Sequence, residues 1–189
     1  KRLWEAAKKA VKAAGYTNAG TVEFLLAPDK KFYFIEMNTR LQVEHRISEE
    51  VSGIDLVKWQ IRIASQINLP FTQEDIRLRG ASIECRINAA GGGKVSFLHI
   101  PGGTRVSFDT ALTQDAEVTP FYDSMIGKLI TAGNDREEAV RKIEAALCEL
   151  VISGVPTNIE KQLEIIRSPE FRRGEYDTAW LQNKFGIQN

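Results

Sequence analysis

The sequence predicts an α+β fold, and three observations lead to it. Strand-like alternation and helical periodicity come in grouped blocks, not in strict turns, which disfavours a doubly wound sheet. Ala27-Pro28-Asp29-Lys30-Lys31 supplies turn chemistry between two alternating segments, the pattern of a β-hairpin. The chain has 189 residues, 43% hydrophobic and 26% charged, enough for one large or two small domains with a sizeable core.

The elements follow in order. Leu3, Ala7, Ala10, Val11 and Ala14 recur at helical spacing, and Gly15 is a natural C-cap. With no initiator Met ahead of this helix, the chain reads as a fragment of a longer protein. Thr21 to Leu26 alternates, and a second strand starts at Phe32. Ile54, Val57, Ile61 and Ala64 mark a helical stretch from Ile47 to about Gln66, interrupted at Ser52-Gly53. Asn68-Leu69-Pro70 closes this block and Phe71 to Asp75 is linker-like, so the domains are expected at 1–70 and 71–189.

The second block opens near Arg77. Strands are expected over 81–88, 95–100, 105–108 and 124–132. A glycine-rich loop spans 90–94, and Pro101-Gly102-Gly103 makes a turn. Asn134 or Asp135 caps a helix carrying Ala139, Val140, Ile143, Leu147 and Leu150, which Gly154 ends. Thr157 with Glu160 matches a capping box opening a last helix through Ile159, Leu163 and Ile166.

Composition narrows the function. Lys+Arg and Asp+Glu are 25 each, so a bulk basic surface for nucleic acid is not expected. No run of 18 apolar residues is present, so no membrane span is expected. Cys85 and Cys148 are too few for a disulfide framework and suit a reducing compartment. Two histidines, His45 and His99, exclude a His-rich zinc site and leave oxygen as the ligand for any metal.

The segment from Ile35 to Glu44 carries the chemistry. Its alternation places Ile35, Met37, Leu41 and Val43 toward a core and Glu36, Asn38, Arg40, Gln42 and Glu44 on the opposite face. One reading is an edge strand with a solvated face. The other is a site, because two carboxylates, two amides and a guanidinium can bind a cation, an anion and a proton in transfer. If the hairpin loop is Pro28 to Lys31, Glu23 falls opposite Glu36. Like charges across a ladder are destabilising, and a hard divalent ion between them removes the conflict. Asn38 adds a neutral oxygen on the same face. A slipped register would instead leave Glu23 merely exposed.

These residues carry a resemblance. Phe32 to His45, FYFIEMNTRLQVEH, with GTVEFL upstream and GIDLVKWQIRIA downstream, closely resembles the biotin carboxylase family of the ATP-grasp superfamily. The similarity continues through RGASIECRINA, VTPFYDSMIGKL, SGVPTNI and FRRGEYDTAWL, over practically the whole chain. Glu-Met-Asn-Thr-Arg looks more like the acetyl-CoA and propionyl-CoA carboxylase branch than the pyruvate carboxylase branch. The resemblance implies the end of an ATP-grasp domain followed by a biotin carboxylase C-terminal domain. It implies formation of carboxybiotin from ATP, bicarbonate and biotin on a carrier protein.

Residue by residue, Glu23, Glu36 and Asn38 resemble ligands of Mg²⁺ or Mn²⁺. Arg40 resembles the arginine that steadies bicarbonate and carboxyphosphate. Gln42 and the backbone N–H of Val43 match positions that hold bicarbonate. Glu44 resembles the base that takes the bicarbonate proton. Arg86 matches the arginine that stabilises the biotin enolate. Leu25 and Val155 match positions lining the adenine pocket, with Glu36 also on the ATP side. The implied partners are the preceding half of the enzyme, the biotin carboxyl carrier protein, the carboxyltransferase and a second copy in a homodimer. The implied location is the cytoplasm, or the mitochondrial matrix for a eukaryotic parent.

Departures from the family pattern are equally visible. The family's glycine-rich lid and phosphate-gripping lysines have no counterpart in these residues, so the chain alone is expected to be inactive. Ala90 to Val95 is not a P-loop, since Asn88 and Val95 stand at its required Gly and Ser/Thr positions. Arg46 follows His45 where the family has Pro, which is expected to loosen the backbone after Glu44. The alternative to an enzyme is a non-catalytic assembly module that keeps the fold and the subunit contacts.

Overall fold

The structure, a computed structural model, describes residues 2–186. It divides into two compact units, one ending at Leu78 and the other starting at Arg79.

The first unit contains α1 (Arg2–Ala13), β1 (Thr21–Leu26), β2 (Phe32–Asn38), α2 (His45–Ser52), α3 (Leu56–Ala64) and a 3₁₀ turn at Gln73–Asp75. Gly15, at φ 62°, closes α1 as expected. Gly53 ends α2 at φ 72°, and Asp55 opens α3 by accepting from the Lys58 N–H at 2.8 Å. None of the described residues of this unit is buried. Leu25, Leu26, Tyr33, Phe34 and Ile35 are all more than half exposed on the hairpin. A two-stranded hairpin offers too little surface to make a core of its own.

β2 ends at Asn38, which corrects the single alternating strand expected through Glu44. β1 begins at Thr21, the partner of Asn38, so the ladder has nothing left to pair beyond that point. Ile35 and Val43, expected to face a core, are 55% and 38% exposed.

The second unit contains β3 (Ala81–Asn88), β4 (Gly93–Lys94), β5 (Phe97–His99), β6 (Val106–Thr110), β7 (Glu117–Val118), β8 (Met125–Gly133), α4 (Arg136–Glu149), β9 (Val151–Ser153), α5 (Ile159–Arg167), α6 (Pro169–Arg173) and α7 (Trp180–Phe185). Antiparallel strands in the order β3-β8-β6 make its main sheet, with β4 paired to β7 and β5 to β9. Ile83, Cys85 and Ile87 of β3 and Leu129 of β8 pack on Ala139, Val140, Ile143, Ala146 and Leu147 of α4. Burying these side chains contributes roughly 1.5–3 kcal/mol for each large aliphatic one.

Here too the structure corrects details. The strand expected over 95–100 survives only at Phe97–His99, and Val95 is fully buried outside it. α4 stops at Glu149, not near Gly154, because the chain enters β9. The capping box at Thr157 does not form. The N-cap of α5 is Asn158, and its side chain makes no bond to its own helix.

Candidate active site

The hairpin brings the first set together. Leu26 faces Phe32, one step tighter than the sequence count, and the Ala27 N–H donates to the Lys31 carbonyl at 2.8 Å. Continued unbroken, that register would set Glu23 opposite Ile35. A bulge at the Glu23/Phe24 step adds one residue to β2, and Glu23 faces Glu36 after all. The Asn38 side-chain amide donates to Glu23 Oε1 at 2.9 Å and to Glu36 Oε1 at 3.2 Å. The three side chains therefore share one face. Gly20 permits this packing, since a Cβ there would lie 3.0 Å from the Asn38 carbonyl oxygen.

The next residues turn away from the ladder. Arg40 donates to the Leu41 carbonyl and, through its other terminal nitrogen, to Asn38 Oδ1, each at 3.3 Å. It also makes a short bond to Gln42 Oε1. The His45 N–H donates to the Gln42 carbonyl at 3.3 Å, and His45 Nδ1 lies 2.8 Å from the same oxygen. That turn puts Glu44 at the N-cap of α2. Arg40, Gln42 and Glu44 line one open cavity of about 500 Å³ with Asn18, Thr21 and His45. A turn thus does what the expected flat strand could not: it wraps a cation, an amide and a carboxylate around one volume. Arg46 sits inside the first turn of α2 and ion-pairs with Glu49 at 3.0 Å and Glu50 at 3.4 Å. The expected loosening there is replaced by ordinary helix.

In the second unit, β3 alternates as expected. Ile83, Cys85 and Ile87 are buried while Arg86 is exposed. Burial, with the neighbouring Glu84 charge adding, pushes the Cys85 thiol up to about 12, so it stays protonated and is no nucleophile. Arg86 pairs with Lys128 of β8, which also pairs with Asp109 of β6. Lys128 Nζ lies 3.6 Å from Asp109 Oδ2. Leu25 is 59% exposed, open to a ligand, whereas Val155 is 4% exposed and offers little surface to one.

Sequence reasoning missed three contributors: His45 as the residue that pins the Gln42 carbonyl, and Asn158 and Gln162 as the groups on the Arg86 carbonyl. His45 stood in the motif as a letter without a role. Asn158 was hidden by the more familiar Thr157/Glu160 pattern beside it.

Comparison with known proteins decides what these residues belong to. Residues 84–183, more than half of the chain, match the biotin carboxylase C-terminal domain. The chain belongs to the biotin carboxylase family. Residues 1–72 match the ATP-binding domain of the carbamoyl-phosphate synthase L chain. Among relatives, a pyruvate carboxylase subunit from Methanothermobacter thermautotrophicus is 50% identical over 95% of this chain and 38% of its own length. A biotin carboxylase from Haemophilus influenzae is 46% identical over 92% of this chain and 40% of its own length. The chain thus spans about two fifths of these relatives, and their identities do not separate the two carboxylase branches.

Solved biotin carboxylases share the architecture. The Campylobacter jejuni biotin carboxylase, in its beta-gamma-ATP complex, matches with a TM-score of 0.90 and 46% identity, over 96% of this chain and 42% of that one. The biotin carboxylase domain dimer of Hydrogenobacter thermophilus 2-oxoglutarate carboxylase was solved with MgADP, ADP and bicarbonate. It matches with a TM-score of 0.89 and 44% identity, over 93% of this chain and 40% of that one.

The donor set fits the divalent cation that such a family implies. Two carboxylates converge on one amide, and Mg²⁺ typically takes one or two carboxylates plus substrate phosphates. Among the described residues no cluster of three or more His, Cys, Asp or Glu side chains that could hold a metal ion forms.

Proposed function

We propose that the protein carrying this chain is an ATP-dependent biotin carboxylase, which carboxylates biotin on a carrier protein as the first half-reaction of a biotin-dependent carboxylase. The observation that carries the reading is the continuity of one segment. Residues 36–44 supply Glu36 and Asn38, which meet Glu23 of the neighbouring strand, and then, within two residues, a cavity lined by a cation, an amide and a carboxylate.

Each residue then has a task. Glu23, Glu36 and Asn38 would hold a divalent ion, which would supply positive charge against the ATP phosphates. Arg40 and Gln42, with the Val43 N–H, orient bicarbonate. Glu44 takes its proton, and the freed oxygen attacks the γ-phosphorus as ADP leaves, giving carboxyphosphate. Carboxyphosphate then breaks its carbon–oxygen bond to release CO₂ and phosphate. The phosphate takes the biotin ureido N–H proton, Arg86 faces the negative charge that develops on the ureido oxygen, and the nitrogen adds to the CO₂ carbon. Leu25 contacts the adenine. The partners are a biotin carrier protein, a carboxyltransferase and a second copy of the chain, as in the dimeric relative.

The first unit has no buried residue among those described, so the remainder of the protein is expected to cover it and to supply the phosphate-binding groups. The chain on its own is accordingly expected to be inactive. The test is an assay of carboxybiotin formed from ATP, Mg²⁺, bicarbonate and free biotin. The full-length protein should turn over and lose activity on Arg86→Ala, and the isolated chain should match a no-protein control. No turnover by the full-length protein would refute the assignment, and clear turnover by the chain alone would refute the need for the remainder.

A further inference from the structure

β3 lies at the edge of the β3-β8-β6 sheet, so one side of it lacks a strand partner among the described strands. At Arg86 that side is filled by side chains. Asn158 Nδ2 donates to the Arg86 carbonyl at 3.1 Å, and Gln162 Nε2 donates to the same oxygen at 3.2 Å. Asn158 Oδ1 accepts from the Asn88 N–H at 2.9 Å, and the Asn158 N–H donates to the Asn88 carbonyl at 3.1 Å.

The Asn158 amide thus meets β3 as the peptide of a neighbouring strand would. It reads the carbonyl of one residue and the N–H two residues later, which point to the same edge. An N-cap asparagine ordinarily spends its side chain on its own helix, for about 1 kcal/mol. Asn158 makes no such bond and is committed to the strand. Because the Arg86 carbonyl faces this edge, its pairing with Lys128 on the other side is the closer, non-hydrogen-bonded kind. Two cations directly opposite repel, and Lys128 is drawn to Asp109 on its other side.

We infer that Asn158, seconded by Gln162, is a positioning residue that fixes the Arg86 backbone so that its guanidinium meets the biotin ureido oxygen. The inference rests on the role proposed for Arg86. Neither amide touches the substrate; both act through the strand.

The test uses the full-length protein with free biotin as the probe. It compares biotin carboxylation, with kcat and KM separated, against bicarbonate-dependent ATP cleavage measured without biotin, a step that does not involve Arg86. Asn158→Ala should lower kcat for carboxylation by about tenfold or more, as small misplacements do, and leave biotin-free ATP cleavage nearly unchanged. Asn158→Asp keeps the acceptor for Asn88 but loses the donor to Arg86, and should fall similarly. Gln162→Ala should fall less. Intact carboxylation in Asn158→Ala, while Arg86→Ala abolishes it, overturns the inference and spares the reading of Arg86. Equal loss of both activities in Asn158→Ala marks a purely structural residue and also overturns it. Intact carboxylation in Arg86→Ala overturns the Arg86 reading itself, and the positioning role with it.

Discussion

Glu23 and Glu36 face each other across the β1–β2 ladder because a bulge offsets the tight turn by one residue. Without it, Ile35 would stand opposite Glu23 and the carboxylates would be out of step. Asn38 then bridges the two acids through its amide nitrogen. Two like charges in direct register are a local cost, which a bound cation would relieve.

Changing Asn38 to Asp tests that relationship. The variant replaces the bridging donor by a third carboxylate. In the full-length protein it should lower Tm in the presence of EDTA, with most of the loss recovered in excess Mg²⁺, because a ligand of the folded state stabilises it. Thermal unfolding of wild type and variant in both conditions is the check. An equal deficit with and without Mg²⁺ would separate Asn38 from any cation.

Glu44→Gln keeps the shape of the cavity wall and removes the base. Bicarbonate-dependent turnover of the full-length protein should fall by about 10²–10⁴-fold, with little change in Tm. Steady-state assays at saturating ATP measure it, and near-normal carboxylation by the variant would remove Glu44 from that role.

In the second unit, a methyl group at Gly127 would lie 2.3 Å from Phe108 Cζ. Gly127→Ala should therefore cost about 1–3 kcal/mol as the ring is driven off its place. Phe108→Leu in the same chain should recover part of that loss, a coupling that denaturant titration of the two single variants and the double variant reads directly. Strict additivity would show that the contact is relieved elsewhere.

Much of this was legible in the sequence, for physical reasons. Val22, Phe24, Ile83, Cys85 and Ile87 alternate with polar residues, and α4 carries a full apolar stripe, so their elements announce themselves. The Glu23–Glu36 pairing was read correctly through two offsetting errors, a turn counted one residue too loose and a bulge that leaves no mark in composition. The two- and three-residue strands β4, β7 and β9 are too short to alternate. The cavity at Arg40, Gln42 and Glu44 needs a turn after Asn38, and an alternating run looks the same whether or not a partner strand is present. Asn158 reaches β3 from 72 residues away, which no local pattern reports.

Glu144 of α4 joins two later helices. It accepts from Arg167 Nε of α5 at 2.8 Å and makes a short contact with Arg172 of α6. The Arg167 hydrogen bond, with Arg172 adding, holds the Glu144 carboxyl below its ordinary value of 4.5. A carboxyl lowered in the folded state contributes stability above its unfolded value and loses it as pH falls through the folded one. Glu144→Gln should therefore lower Tm slightly at pH 7, since the side chain is 26% exposed and its ion pairs are partly screened by solvent. The difference from wild type should fade as pH drops below about 4.5, the ordinary value of the group. A gap that persists undiminished in acid would assign the loss to packing instead of charge.

The central claim is that the Arg40, Gln42 and Glu44 cavity activates bicarbonate for attack on ATP. Attack by a bicarbonate oxygen leaves that oxygen on phosphorus when carboxyphosphate breaks down. The most direct measurement gives the full-length protein bicarbonate labelled with heavy oxygen, together with ATP, Mg²⁺ and biotin, and weighs the released phosphate. One heavy oxygen is expected in each phosphate formed, with loss of that product in Glu44→Gln. Unlabelled phosphate released in step with carboxybiotin would contradict the claim.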